Sequence, residues 1–325
     1  MTDKFEAKII DQLRNQKSLS DTSISAYMRN LKKLNDNEAF KNFKFLENTE
    51  NILKKLEGYK ENTKRNYLIS VVSVLSVFKD KPKTKKLHDI YYNLMMDKKN
   101  DIDKSTVPHQ MTERQKENWM DLDEIKKVYL ELKSDVDEFS SQKNITEQQY
   151  NKLLSYFVLS LYLLEDTKRN KDYQLMYIVK KYAKSDETDK YNYLDLTDNK
   201  FIFNQYKTSK KYGTKIIDIK PELRSVIDLY LKYHPLYSVN SIKAGIPLLV
   251  SYSGTPLNKV NSITRILNRT FGKLIGSSMI RHIYLSGTIG PQVLEHEKIA
   301  GSMGHSVAMQ SEYVKFKDND NHIII

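Results

Sequence analysis

The 325-residue chain contains no cysteine. That excludes disulfides, zinc–thiolate and iron–sulfur centres, and any cysteine nucleophile. Phosphate-cradling loops for nucleotides are missing too: no GxxxxGK[ST] occurs and no GxGxxG opens a helix. Long apolar runs are scarce. The greasiest stretch, Leu153 to Leu164, is broken by Ser and Tyr and is too short to span a bilayer. The first ten residues, MTDKFEAKII, put charges where a secretory signal needs an apolar core. A soluble intracellular protein with no membrane partner is therefore expected. Histidine is thin as well, with seven residues scattered along the chain. His296–Glu297 starts a zincin-like pattern, but Ala300 stands where the second His belongs, so no metal site is expected.

What is present is charge, with the positive sign in excess. Lys and Arg number 53 against 41 Asp and Glu, a formal net charge of +12. Such a surplus favours a polyanionic partner, because each neutralised phosphate releases a condensed counterion. Hydrophobic residues make up 39% of the chain, enough to build cores and to argue against global disorder. The length suggests two domains.

Residues 1–102 have the periodicity of a small helical domain. Ile24, Tyr27, Met28, Leu31 and Leu34 recur at helical spacing, with Ser20 or Asp21 as N-cap. Asn62 or Thr63 is expected to cap a second helix, whose apolar face is Tyr67, Leu68, Val71, Val72, Leu75 and Phe78. Lys60, Lys64 and Arg65 crowd its start. Cations there oppose the helix dipole, which makes them candidate phosphate contacts. Residues 103–118 are polar, lack apolar periodicity and contain Pro108, as an interdomain linker would.

From Trp119 to the end, 119–325, the pattern is helical with one β insert. Thr146 and Gln149 make a capping box before a helix that is apolar on most sides. That helix should break at Glu165–Asn170 and resume over Asp172–Lys180. Residues 192–196, 200–206 and 214–219 read as three short antiparallel strands, joined by the turn Thr197–Asn199 and the basic loop Lys207–Gly213. Helices follow near 221–233, 262–273, 278–286, 292–303 and 307–315.

The residues with chemical promise sit mostly in the last third: SSMIRHIYLSG (277–287), EKIAGSMGHS (297–306) and SEYVKF (311–316). An RH pair, a GH pair about two dozen residues on, and a Tyr soon after resemble the second and third boxes of the tyrosine recombinases. Upstream, EDTKRNKDYQLM (165–176) resembles the family's first arginine box, and QYKTSKKYG resembles its lysine-bearing hairpin. The wording is most similar to integrase-like proteins of large DNA viruses and virophages. The resemblance implies a mainly α protein: a helical core-binding (SAM-like) domain, then a mixed α/β catalytic domain with a small three-stranded antiparallel sheet.

It also implies roles. Arg169 and Arg281 would grip the non-bridging oxygens of a phosphodiester, His305 would donate a further hydrogen bond, and Asp172 would orient the arginines. Tyr313 would attack phosphorus, and its phenol, ordinarily titrating at about 10, needs help losing the proton. Lys207 would protonate the departing 5′ oxygen, with Lys210 and Lys211 of the same loop as competitors and DNA contacts. The 3′-phosphotyrosine keeps the bond energy, so rejoining needs no ATP, metal or cofactor. Tyrosine occurs 22 times, so Tyr313 draws its weight from following Gly304–His305.

Two departures from the family pattern stand out. Ser278 occupies the place of a usual His three residues before the arginine, and a hydroxyl can hydrogen-bond a phosphate but cannot hold a proton near neutrality. His305 and Tyr313 also stand one residue closer than usual. The implied function is site-specific DNA integration or recombination by a viral or mobile element. The implied partners are double-stranded DNA and further copies of the chain, a tetramer on DNA, with no small-molecule substrate. Its place would be wherever that DNA resides: nucleus, viral factory or cytoplasm. Rival functions are type IB topoisomerase-like relaxation and a catalytically silent DNA-binding descendant, which Ser278 would suit. A metal-dependent integrase ranks behind both, for want of a carboxylate triad on strands.

Overall fold

A computed structural model describes the chain apart from residues 1–3, 167, 186–187, 239, 244 and 316–325. It is mainly helical, with one five-stranded mixed sheet, and divides into two compact units, Met1–Gln110 and Met111–Ile325. Among the described residues no helix is long and apolar enough to cross a membrane.

In the first unit the helices are α1 (Lys4–Lys17), α2 (Asp21–Leu34), α3 (Thr49–Leu56), α4 (Glu61–Ser76) and α5 (Pro82–Ser105). Leu13, Leu31, Ile52, Val71, Leu75 and Tyr91 bring one apolar face of each helix into a common core. Ser20 is the N-cap of α2 and accepts from the Ser23 amide at 3.3 Å. The start of α4 differs from expectation. Lys60 is its N-cap, without a side-chain cap, so Asn62 and Thr63 lie inside the helix. Glu61 explains the earlier start: an acid in the first turn suits the dipole, and it pairs with Lys64 at 2.7 Å and Lys98 at 3.0 Å. The buried Glu6 carboxylate ties α1 to α2 through Lys32, at 2.8 Å.

The stretch 103–118 is more ordered than a linker pattern suggests. The long helix α5 continues through Ser105, and α6 (Glu113–Asn118) opens on a Thr112–Gln115 capping box. Polar residues carry both, held by local bonds that apolar periodicity does not report.

The second unit continues with α7 (Leu122–Asp137), α8 (Glu147–Leu163) and α9 (Asn170–Gln174). Next come β1 (Met176–Val179), β2 (Asn192–Asp195), β3 (Lys200–Phe203), α10 (Ser209–Tyr212) and β4 (Lys215–Asp218). The chain then runs through α11 (Pro221–Lys232), β5 (Ile246–Pro247), α12 (Ser262–Phe271), α13 (Ser277–Thr288), α14 (Gly290–Ser302) and α15 (Val307–Tyr313). α8 opens on the expected capping box, the Gln149 amide donating to Thr146 at 3.2 Å. From Leu153 to Tyr162 every residue of α8 is buried, and α7, α11 and α12 pack around it.

The sheet corrects the expectation of three antiparallel strands. Its order is β4-β3-β2-β1-β5, with β1 parallel to β2 and the remaining pairs antiparallel. The three expected strands are β2, β3 and β4. The helix expected over Asp172–Lys180 is instead the single-turn α9 followed by β1. Met176–Val179 reads MYIV, a β-prone run with buried and half-buried residues alternating, and its edges pair with β2 and β5.

His234, buried just past the end of α11, ties that helix to β5. The Leu236 amide donates to its Nδ1 at 3.2 Å, which leaves Nε2 to donate to the Pro247 carbonyl at 3.1 Å. Burial pushes this imidazole down to about 4, against a usual histidine value near 6.5. The folded form therefore resists a proton that the unfolded chain accepts. Its contribution to stability is complete above about pH 6.5 and is lost as pH falls toward about 4. That loss should amount to about 3 kcal/mol in urea-unfolding free energy, and His234→Gln should flatten this part of the pH profile. A variant with the same slope as the parent would assign the acid sensitivity elsewhere.

Candidate functional site

The first arginine box lies where α8 ends. The Tyr162 hydroxyl, on its last turn, donates to Asn170 Oδ1 at 2.7 Å, and the Asn170 amide donates to Thr264 of α12 at 2.9 Å. Asn192 of β2 donates to the Asp172 carbonyl at 2.9 Å. The short helix α9 is thus pinned from three sides. Arg169 is its N-cap residue, and the Arg169 amide donates to Asp172 Oδ2 at 3.0 Å. The side chain of Arg169 is exposed, while Asp172 is buried.

Electrostatics join this box to α13. Burial pushes the Asp172 carboxyl above the usual range; the Arg169 amide and the charges of Arg169, Arg281 and Lys168 pull the other way. The Arg281 guanidinium, half-buried on α13, is pushed down by burial and by the like charge of Arg169, while Asp172 supports it. One buried carboxylate therefore lies within electrostatic reach of two guanidiniums that repel each other. Tyr162 belongs to the same group: burial raises its phenol, and the Arg281 charge opposes that rise. Ser278 is exposed on the first turn of α13, three residues before Arg281 and so on the same side of the helix.

The lysine loop borders this group. The Tyr206 hydroxyl closes the loop on the Gly213 carbonyl at 2.8 Å, and Tyr206 lies within electrostatic reach of Asp172. Lys207, the next residue, is exposed, as are Lys210 and Lys211. The Lys211 ammonium lies over the Tyr212 ring, 4.9 Å from its centroid. Two lysines that sequence reasoning passed over also belong to these surroundings. Burial pushes the Lys168 ammonium down, aided by the like charge of Lys215 and opposed by Asp166, Glu165 and Asp172. Lys168 directly precedes Arg169, and no motif marks it. Lys215, at the start of β4, lies over the Tyr206 and Tyr212 rings.

The GH pair has a local structural cause. Gly304 has φ 71°, the left-handed conformation that glycine adopts without strain. The reversal lets the Gly304 amide donate to Gly301 at 3.2 Å and the His305 amide to Ala300 at 3.1 Å, a Schellman ending for α14. Ser306 then caps α15, accepting from the Met309 amide at 3.2 Å. The two close turns bring the His305 and Tyr313 ring centroids to 5.6 Å. His305 Nδ1 bonds the Ser306 carbonyl at 3.2 Å, which obliges it to be the donor. His305 Nε2 is shielded from solvent and has no hydrogen-bond partner among the described residues. Tyr313 is 65% exposed. Ala300 is the sole buried residue of α14, and Leu294 and Met303 are exposed at 61% and 62%.

Arg169, Asp172 and Arg281 thus form one group, with the loop of Lys207 beside it, and His305 with Tyr313 forms a second. In the first unit, Lys60 is exposed, Lys64 is neutralised by Glu61, and Arg65 Nε is buried without a partner among the described residues. Among the described residues no three metal-ligating side chains gather closely enough to hold an ion. Residues 316–325 lie outside the described residues. Set against protein-family models, curated proteins and solved structures, the chain finds no match.

Asp172 yields a sharp expectation. Its carboxyl keeps a proton to higher pH when folded than when unfolded, so folding stability falls as pH climbs from the ordinary carboxylate range through the raised one. Asp172→Asn removes that loss and can still accept from the Arg169 amide. The variant should unfold at the same temperature as the parent at pH 7, or higher, and should lose the pH dependence. A variant that melts earlier would mean that the charge of Asp172 serves the fold more than the site.

Proposed function

We propose that the protein breaks and rejoins double-stranded DNA as a tyrosine recombinase, with Tyr313 as nucleophile. The observation that carries this reading is that Arg169 and Arg281 lie within electrostatic reach of each other and of the buried Asp172. Two like charges held together at some electrostatic expense suit a phosphodiester, whose two non-bridging oxygens two guanidiniums can grip. The resemblance of the RH, GH and Tyr boxes supports the same reading, and so does the proximity of the His305 and Tyr313 rings.

In the proposed reaction the Tyr313 oxygen attacks phosphorus and its proton passes to a base. The bond from phosphorus to the 5′ oxygen breaks, and a lysine protonates that oxygen. With Nδ1 committed to the Ser306 carbonyl, neutral His305 has Nε2 as its free acceptor, which suits it to take the phenol proton. The imidazolium so formed can donate to a phosphate oxygen as negative charge builds. Asp172 holds the guanidiniums in register without reacting. Reversal by an incoming 5′-hydroxyl restores the DNA. Recombination of paired sites by four copies, for a viral or mobile element, completes the reading.

The test is covalent trapping. Incubated with nicked suicide duplexes drawn from the ends of its own element, the protein should remain attached to DNA in denaturing gels, EDTA included. Tyr313→Phe should abolish the adduct and keep binding within a few-fold. An adduct that survives the substitution would overturn the nucleophile. A parent protein that binds without any adduct would favour the silent descendant that Ser278 suits, and relaxation of plasmid without sequence requirement would favour a topoisomerase.

The leaving-group lysine is separable from its neighbours. A 5′-phosphorothiolate leaves without a proton, so it should rescue only the variant that lacks the acid. Lys207→Ala should slow cleavage of ordinary DNA by about 10²–10⁴-fold and recover on the sulfur substrate. Rescue of Lys168→Ala or Lys215→Ala instead would move the acid to that lysine.

A further inference from the structure

The first unit carries an open groove of about 1060 Å³. Its floor is apolar, built from Phe5 of α1, Phe43 ahead of α3, Phe78 after α4, and Leu87 and Ile90 of α5. The three phenyl rings form one cluster: Phe43 meets Phe5 edge-on at 5.1 Å and Phe78 at 5.6 Å, and Phe5 stacks on Phe78 at 6.1 Å. Ile90 is 39% exposed. Around this floor stand the exposed lysines Lys44, Lys81, Lys83 and Lys86, against a single acid, Glu47. None of the four makes an ion pair among the described residues, whereas Lys32, Lys55, Lys64 and Lys98 of the same unit do.

An apolar floor open to water and a rim of uncompensated cations are both unfavourable alone, and one kind of partner relieves both. Duplex DNA would reach the rim with its phosphates and leave the phenyl rings wet. We propose that the groove docks an acidic amphipathic helix of a partner protein, apolar side chains on the phenylalanine floor and carboxylates against the lysine rim. The inference stands apart from the DNA chemistry proposed above. It needs only the first unit.

The probe is a labelled synthetic helix with Leu on one face and Glu elsewhere, titrated with the full-length protein and followed by fluorescence anisotropy. It should bind, and the same helix with Lys for Glu should not. Lys83→Glu combined with Lys86→Glu, both at exposed positions, should weaken the acidic helix at least tenfold and bind the lysine helix instead. Ile90→Asp should weaken the acidic helix as much with an unchanged melting curve; if it melts early, the charge-reversal pair decides alone. Affinity for the acidic helix that is indifferent to the charge reversal overturns the proposal. So does a result in which the reversal abolishes binding of a labelled oligonucleotide and leaves the peptide untouched, which would make the groove a nucleic-acid surface.

Discussion

The second unit is organised by a helix that has no solvent side. From Leu153 to Tyr162, α8 is buried all round, so α7, α11 and α12 have to cover it. Burial of that extent comes from apolar surface removed from water and needs no particular directional bond. Where the cover ends, the candidate site begins. Tyr162 is the last residue of α8 that is still buried, and its hydroxyl reaches outward to Asn170. The core thus supplies a rigid post, and the arginine box hangs from its end by hydrogen bonds to α12 and β2.

The cost of that arrangement is concentrated in Asp172. A buried carboxylate is tolerated when cations and amide donors face it, and here the Arg169 amide and the charges of Arg169, Arg281 and Lys168 do so. The compensation is incomplete, since burial still outweighs it. Residual electrostatic tension of this kind is common where a site is shaped for a ligand that brings its own charge. A phosphate anion would relieve the repulsion between the two guanidiniums without touching the carboxylate. The same logic explains why Lys168 matters: its half-buried ammonium adds positive potential beside Arg169 at no length cost in the chain.

Legibility in the sequence followed the range of the forces involved. Capping and periodicity act within a few residues, so the Thr146–Gln149 box, the Ser20 cap and the helices from α11 onward could be read directly. β1 could not. Met176–Val179 follows a helical turn without punctuation, and its strand character depends on β2, sixteen residues on, and β5, about seventy residues on. Lys60 as the cap of α4 was hidden because its support comes from Glu61 pairing with the distant Lys98. At the candidate site the residue types with a motif, Arg169, Arg281, Gly304–His305 and Tyr313, were legible one by one. Tyr162, Asn192 and Lys168 carry no motif, and only the folded chain brings them to Asp172.

The segment bearing Tyr313 obeys a different rule from the core. Only Ala300 anchors α14 by burial, so packing contributes little to its position. What holds its shape is local: the reversal at Gly304 and the hydroxyl cap of Ser306, each an interaction of about 1 kcal/mol. Local bonds fix the imidazole and phenol relative to each other, because His305 directly precedes the cap of α15 and Tyr313 ends that short helix. They do not fix that pair against α8. Segments with few apolar contacts open at low free-energy cost, whereas Asp172, beside Arg169, is buried with the core. On the proposed reading, in which a phenol reaches a phosphate gripped by Arg169 and Arg281, that division would let the anion's geometry be set first and the phenol arrive with its base already beside it.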